Sequence, residues 1–242
     1  MNMTTPSFNL FQFKPIGIIH SPYKQKFAIP RQPRLVKQIE GLLALTDEFS
    51  IEGILAGIEN YSHLWITFIF HQTLSQGWSA KVRPPRLGGN DKMGVFATRS
   101  TFRPNPIGLS AVENLGHYQH EGKYFIRLGG IDLLDQTPIV DIKPYIPYCD
   151  AIPDAQAGIA QTQPSSNMPV SWSPQAIAFC KQNIHSYPNL QTIVSDILQQ
   201  DPRPAYKKKN ILPQNYSVYL YDLNIHWTIE NQQTLVTHIN KK

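Results

Sequence analysis

The chain has 242 residues, 41% of them apolar, and a formal charge of +5 from 22 Lys and Arg against 17 Asp and Glu. That length holds one large or two modest domains at about 100–200 residues each, enough for a packed core, and the charge is a mild tilt toward polyanions rather than a histone-like excess. Cys149 and Cys180 show neither metal-ligand spacing nor a framework of bridges, which excludes a disulfide scaffold and points to a reducing compartment and no metal. The start, MNMTTPSFNLFQFKP, lacks the charged-then-apolar layout of a signal peptide, and the apolar run Leu64–Phe70 is too short to cross a bilayer. A soluble cytoplasmic protein is expected.

The first part reads as mainly β. FKPIGIIHS opens as a strand. FSIEGILAGI, Phe49–Ile58, reads as a strand leading into a turn or short helical segment, and LWITFIFHQ, Leu64–Gln72, as a buried strand. KMGVFATR, GLSAVENLGHYQ, KYFIRLGGIDLLD and IVDIKPYIP follow as strand candidates, separated by Gly, Pro and Asn. There is no βαβ rhythm, so a barrel or sandwich is expected over residues 10–150. Residues 151–169 have the Ala, Gln, Ser and Pro content of a linker. From 170 to 242 a small α+β unit is expected. Ser173-Pro174 reads as an N-cap with Pro at the first helical position, followed by two apolar stripes, Ala176–Cys180 and Leu190–Leu198. The alternation Tyr219, Tyr221, Leu223, Ile225, Trp227, Ile229 reads as one half-buried strand, and ENQQ turns it into TLVTHI.

No GxGxxG after a strand, Walker loop, HExxH, CxxC or GxSxG is present, so neither Rossmann-type nor P-loop nucleotide chemistry is indicated. What remains is a set of polar, proline-locked segments: SPYKQKFAIPRQPRLV, FHQ, VRPPRLGGNDKMG, RSTFRPNPIG and GGIDLLDQTPIVDIKPY. In RSTFRPNPIG, Pro104 and Pro106 fix φ and push Arg103 and Asn105 toward extended geometry, so the loop presents Arg99 and Arg103 on a stiff frame. A strand-bounded fold places such loops on a common rim, where Arg, Gln and backbone groups can grip a small ligand with a carboxylate. Each segment also has a plainer reading. His71 is by default a hydrogen-bonded rim histidine, Asp132 and Asp135 can simply cap turns, and Asp141 can pair with Lys143.

Taken together and in order, IGIIHSPYKQKFAIPRQPRLV, YSHLWITFIFHQT, VRPPRLGGNDKMGVFATRSTFRPNPIGLS and DQTPIVDIKPY closely resemble the TsaA/TrmO-like family, and DPRPAYKK with YSVYLYDLNIHW resembles the appended domain of its bacterial members. The resemblance implies a single-sheet β-barrel that methylates tRNA from S-adenosylmethionine. The acceptor it implies is N6 of threonylcarbamoyl-adenosine, 3′-adjacent to the anticodon. It also implies a homodimer with the cofactor near the subunit interface. The family's cofactor contacts fall here on Pro30, Arg31, Gln32, His71, Gln72, Arg99, Leu109, Gly130, Ile131, Asp132 and Leu133. Asp132, Asp135, Asp141 and His71 are candidates to handle the N6 proton. Arg103 is the first choice for the substrate carboxylate, with Arg99 on the cofactor side. Arg203, Lys207, Lys208 and Lys209 are the expected tRNA contacts. The alternatives are another RNA base or a small metabolite as acceptor, or a non-catalytic RNA-binding module.

Overall fold

The computed structural model describes residues 11–88, 91–164, 167–204, 207–208, 210 and 212–242. Its strands, in chain order, are β1 (Gly17–His20), β2 (Glu40–Leu45), β3 (His63–Ile69), β4 (Lys81–Val82), β5 (Met93–Gly94), β6 (Ile107–His120), β7 (Lys123–Gly129), β8 (Thr137–Pro144), β9 (Val170–Trp172), β10 (Gln214–Leu220), β11 (Leu223–Glu230) and β12 (Gln233–Lys241). The helices are α1 (Pro147–Asp150), α2 (Pro174–Gln182) and α3 (Leu190–Gln199). Six antiparallel strands close into a barrel in the order β1-β2-β7-β6-β3-β8. The chain is therefore mainly β, with a barrel followed by a sheet-and-helix unit.

The barrel interior is filled by side chains. Ile19, Leu43, Leu64, Ile66, Val112, Ile126, Leu128 and Ile139 have no exposed surface and come from all six strands. The period-2 alternation of β2 and β3 sends every second residue to this core. One packing choice depends on a missing side chain. Phe68 lies opposite Gly108 in the β3–β6 register, and a Cβ built on Gly108 would stand 2.3 Å from the Phe68 ring. The ring crosses the neighbouring backbone where only glycine leaves room.

Three sequence expectations are corrected. Phe49–Ile58 is not a strand: Gly53 and Gly57 take φ of 83° and 85°, and the segment coils into turns. It lies over the barrel end where β1 and β3 begin and β2 and β8 finish, and the Asn114 side-chain amide fixes it by donating to the Ile58 and Tyr61 carbonyls at 2.9 and 2.8 Å. The strand is instead EGLLAL just before it. KMGVFATR yields only the two residues of β5 and then a tight turn. The stretch Tyr219–Ile229 is a hairpin, with Tyr221 at φ 58° in the turn between β10 and β11. The turn changes the parity of the alternation, so Leu220 and Leu223 are buried while Tyr219 faces out.

The C-terminal sheet has the order β10-β11-β12-β9, with β9 parallel to β12. The Ser173 hydroxyl accepts from the Ala176 N–H and so caps α2 as expected. Helix α3 buries Leu190, Ile193, Val194, Ile197 and Leu198, the stripe read from the sequence. The inner face of this sheet meets the loop that follows β1. Phe27 stacks against Tyr216 and Trp227 with centroids 6.0 and 5.9 Å apart, and the Tyr221 N–H donates to the Pro22 carbonyl at 2.8 Å. Stacked aromatic pairs contribute about 0.5–1.5 kcal/mol beyond their buried area.

The Gly108–Phe68 crossing gives a direct test. Gly108→Ala should destabilise the barrel by about 1–3 kcal/mol, the usual cost of overpacking a filled core. Adding Phe68→Leu should recover part of that loss, because the added methyl and the shortened side chain share one space. Urea unfolding of both single variants and the double variant measures it; additive effects would show that the two residues do not compete.

Candidate active site at the upper end of the barrel

The end opposite the coiled plug is where β1, β3 and β7 finish and β2, β6 and β8 begin. Four connections meet there: residues 21–39, 70–80, 95–106 and 130–136. The first and last are laced together. The Arg34 N–H donates to the Gly130 carbonyl at 2.7 Å, and the Gly130 N–H to the Ile39 carbonyl at 2.8 Å. The Asp135 N–H donates to the Tyr23 carbonyl at 2.9 Å, while the Asp135 carboxylate accepts from the Ser21 N–H and from Lys24 Nζ, both at 2.8 Å. Burial pushes the Asp135 carboxyl up, but Lys24 and the Ser21 N–H outweigh it and hold the group below its ordinary value. Gly130 sits at φ 63°, and a Cβ there would stand 3.2 Å from the Arg34 backbone. The turn needs glycine both for its conformation and for this approach.

This lacing sets Asp132 and Gln32 on one rim. The Asp132 carboxylate accepts from the Ser110 hydroxyl at 2.7 Å. Burial pushes its carboxyl up to about 6, against the pull of the Ser110 hydroxyl, its own backbone N–H and the Arg99 charge. Arg99 Nη1 donates to Gln32 Oε1 at 2.5 Å, which draws the 95–106 loop onto the 21–39 loop. His71 follows the end of β3, and burial holds its imidazole below its ordinary value, so the ring is neutral at pH 7. Lys26 Nζ donates to the Gln72 carbonyl at 3.2 Å. Pro30, Gly130, Ile131 and Leu133 are buried and form the walls, and Leu109 projects from the start of β6 with 53% of its surface exposed.

Arg103 is held by one of its nitrogens. Nη1 donates to the Thr98 carbonyl at 2.6 Å and the Val95 carbonyl at 3.3 Å, and the guanidinium carbon lies 5.8 Å from the centre of the Phe96 ring. Nε and Nη2 make no bond to the described residues, so one edge of the guanidinium is fixed and the other is open.

The remaining candidates lie apart. Asp135 is committed to the lacing. Asp141 stands toward the other end of the barrel, lining a cavity of about 510 Å³ with Ile16, Leu45 and Leu64, 3.5 Å from Lys143. Arg203 is 2% exposed and paired with Asp201 through Nε and Nη2 at 2.8 and 3.0 Å, so its charge is spent inside the fold. Lys208 joins the same carboxylate at 3.3 Å, Lys207 lies 5.9 Å from the Tyr216 ring centre, and Lys209 is outside the described residues. Ser110, which the sequence reading passed over, is 2% exposed on β6. A hydroxyl at an inward position of a barrel strand needs a buried partner, and that was the available signal.

Family comparison accords with this geometry. The tRNA-methyltransferase O N-terminal domain matches residues 18–151, and the TrmO C-terminal domain matches residues 165–242. A protein of Escherichia coli (strain K12) named "tRNA (adenine(37)-N6)-methyltransferase" is 49% identical over 219 residues, covering 90% of this chain and 93% of its own. One from Pseudomonas aeruginosa, named "Putative S-adenosylmethionine-dependent methyltransferase RcsF", is 46% identical over 88% of this chain and 90% of its own. The crystal structure of TrmO from Pseudomonas aeruginosa superposes with a TM-score of 0.79 at 37% identity, over 96% of this chain and 99% of that one.

The raised Asp132 carboxyl has a consequence for stability. The folded chain holds this proton up to pH of about 6, whereas an unperturbed Asp releases it near 3.8. The group's contribution to stability is therefore greatest below about pH 4 and is lost as pH rises through 6. Asp132→Asn should raise the melting temperature at pH 8, by a gain on the order of 1–3 kcal/mol, and the gain should shrink toward zero at pH 4. A variant less stable than the wild type at pH 8 would show that the carboxylate is held by contacts stronger than its burial cost.

Proposed function

The chain belongs to the tRNA-methyltransferase O family, and on that premise we propose that it is an S-adenosylmethionine-dependent methyltransferase of tRNA adenine-37. Its reaction places a methyl group on N6, and its acceptor is the adenine that already carries a threonylcarbamoyl group. The observation that carries the proposal is the meeting, on one barrel end, of a half-buried carboxylate, two hydrogen-bonded arginines and an apolar wall. Bound there, the cofactor supplies a methyl group on an electrophilic sulfonium.

The residues present fit such a cofactor. Arg99, braced by Gln32, is placed to pair with its amino-acid carboxylate. Leu109 and the buried Gly130, Ile131 and Leu133 offer an apolar wall for its ring. Arg31, Gln72 and Pro30 complete the binding set. Asp132 is placed to accept a proton. Its carboxyl at about 6 stays mostly ionised at neutral pH yet is far more basic than a free aspartate, and the Ser110 hydroxyl holds one of its oxygens in place. The neutral ring of His71 can orient a polar group without adding charge.

Arg103 is suited to the threonylcarbamoyl carboxylate. Pinned through Nη1 and stiffened by Pro104, it keeps a rigid open edge for a bidentate pair. Phe96, 78% exposed beside it, can cover an adenine face. An acceptor lacking the carboxylate leaves that edge unpaired, and a site built for a polar partner can reject such an analogue by roughly 10⁴–10⁵-fold. Exposed Leu74 and Trp78 on the same rim support a homodimer, and a tRNA substrate supports a cytoplasmic location.

Single-turnover methylation of one tRNA, with and without threonylcarbamoylation, tests the substrate, with nucleoside mass spectrometry locating the methyl. Only the modified tRNA should react, and Arg103→Lys should slow it. Equal rates on both tRNAs would move the acceptor to plain adenine or another base. The rate should fall below an apparent pKa of about 6, as Asp132 takes up its proton. Ser110→Ala should move that limb to higher pH, since it removes a bond that favours the charged form.

A further inference from the structure

The outward face of the C-terminal sheet leaves Tyr219 exposed, and among the described residues its chemistry is unusual for a solvated face. Alternation buries Ile225, Trp227, Ile229 and Val236 on the inner face, against the helices and the barrel loop, and turns Tyr219, Asn224, His226, Thr228 and His238 outward. The outward residues adjoin in register, Asn224 opposite Tyr219 and His226 opposite His238. The two imidazoles stack with centroids 4.1 Å apart and planes 10° from parallel. Tyr219 is 38% exposed, with Lys242 Nζ 5.3 Å from its ring centre.

Solvated sheet faces usually intersperse charges of both signs. Here, among the described residues, the one carboxylate in this alternation is Glu230, at the β11–β12 turn, and the other end carries Lys242. Asn224 Oδ1 and His226 Nε2 are closed off from solvent without a hydrogen-bond partner among the described residues, so the surface that a ligand can reach is carried by Tyr219 and His238. Burial and the adjacent His238 keep the His226 ring below its ordinary value, which favours a neutral ring stacked on His238.

We propose that this face is a platform for unpaired nucleotides of the tRNA, which stack on Tyr219 and His238. The proposal rests on the reading that tRNA is the substrate and adds where a part of it away from the reacting base is held. Aromatic rings on an open sheet suit single-stranded segments, whose base faces are free, while a duplex hides those faces. A protein partner would call for a broad apolar centre; here one aliphatic side chain, Leu235 opposite Thr228, is 41% exposed among amide and hydroxyl groups, with one cation at the border.

The test uses the full chain, a fluorescently labelled tRNA transcript and a blunt RNA duplex of equal phosphate count. Tyr219→Ala and His238→Ala should each weaken tRNA binding by about 5- to 100-fold, the range for losing one stacked base. Tyr219→Phe should stay within twofold, duplex binding should not change, and calorimetric titration with S-adenosylmethionine should be unaltered. Tyr219 is exposed, so its variants should melt with the wild type. Affinity within twofold for both alanine variants would overturn the proposal. So would equal losses on tRNA and duplex, which would mark a purely electrostatic surface, or a fall in mass by light scattering, which would mark a contact between copies of this chain. If the wild type methylates tRNA while the variants bind normally, the platform fails alone. If the wild type methylates no tRNA but Tyr219→Ala still weakens binding, the platform stands and the reaction reading falls.

Discussion

The site depends on the lacing between the loop after β1 and the loop before β8. Asp135 receives the Ser21 N–H and the Lys24 ammonium on its two oxygens, and its own N–H returns to the Tyr23 carbonyl. A carboxylate with a backbone donor on one oxygen and a cation on the other is fixed in position, not only in charge. At the other end of the same loop Gly130 exchanges backbone bonds with Arg34 and Ile39. Between these two clamps lie Ile131, Asp132 and Leu133, with no freedom to move independently of residues 21–39. The placement of three rim groups follows. Gln32 is carried on the laced loop, Arg99 is carried by Gln32, and Asp132 is set against Ser110 on β6.

That rigidity has a use because the group it holds is unfavourable. A carboxyl pushed up to about 6 by burial is a source of instability at neutral pH, and a fold tolerates it where the neighbours cannot relax. Ser110 softens the cost without abolishing it. Its single hydrogen bond supports one oxygen and leaves the other for a different donor. The same feature makes the group a stronger base than an exposed aspartate. Stability and reactivity are set against each other at one atom, as is common where a titratable group is buried near a binding surface.

Much of the fold was legible because its signals are local. An apolar, β-branched run marked β3, stretches set off by Gly, Pro and Asn marked β6, β7 and β8, and Ser173-Pro174 marked the start of α2. The errors came from glycine and parity. FSIEGILAGI has the apolar content of a strand, but its two glycines at positive φ serve a plug, and only the tertiary closure of the barrel demands one. Tyr219–Ile229 alternates without a break in sequence, yet a two-residue turn at Tyr221-Asp222 is enough to fold it back. The proline-locked segments were visible as segments, because stiff polar stretches between strands collect at strand ends. Their division of labour was not. Nothing in the string separates Asp132, facing Ser110, from Asp135, three residues on and consumed by the lacing. Nor does it separate the buried Arg203, closed by Asp201, from a solvent-facing arginine that could meet a phosphate. Those distinctions are partner choices made over separations of twenty to more than a hundred residues in some cases and of only two in others.

The C-terminal unit is joined to this site by more than a linker. Tyr23, two residues from the Asp135 contact at Ser21, forms a bridge with Leu220, and Phe27 stacks against Tyr216 and Trp227 in the inner face of the sheet. The Arg31 guanidinium is pulled down by burial and by neighbouring Arg86, and pulled up by Asp201 across the domain boundary. Arg86 itself donates to the Thr162 carbonyl at 2.7 Å, fastening the connecting segment to the barrel. So the loop that carries Pro30, Arg31 and Gln32 is sandwiched: laced to residues 130–136 on one side and packed against the C-terminal sheet on the other. The sheet and the loop of residues 21–39 meet through two aromatic contacts, the Tyr221–Pro22 hydrogen bond and the Tyr23–Leu220 bridge. The Asp201–Arg203–Lys208 cluster is then better understood as a fixture of that boundary than as a surface for phosphate. It balances a buried arginine, and Asp201 partly offsets the effect of burial and of Arg86 at Arg31.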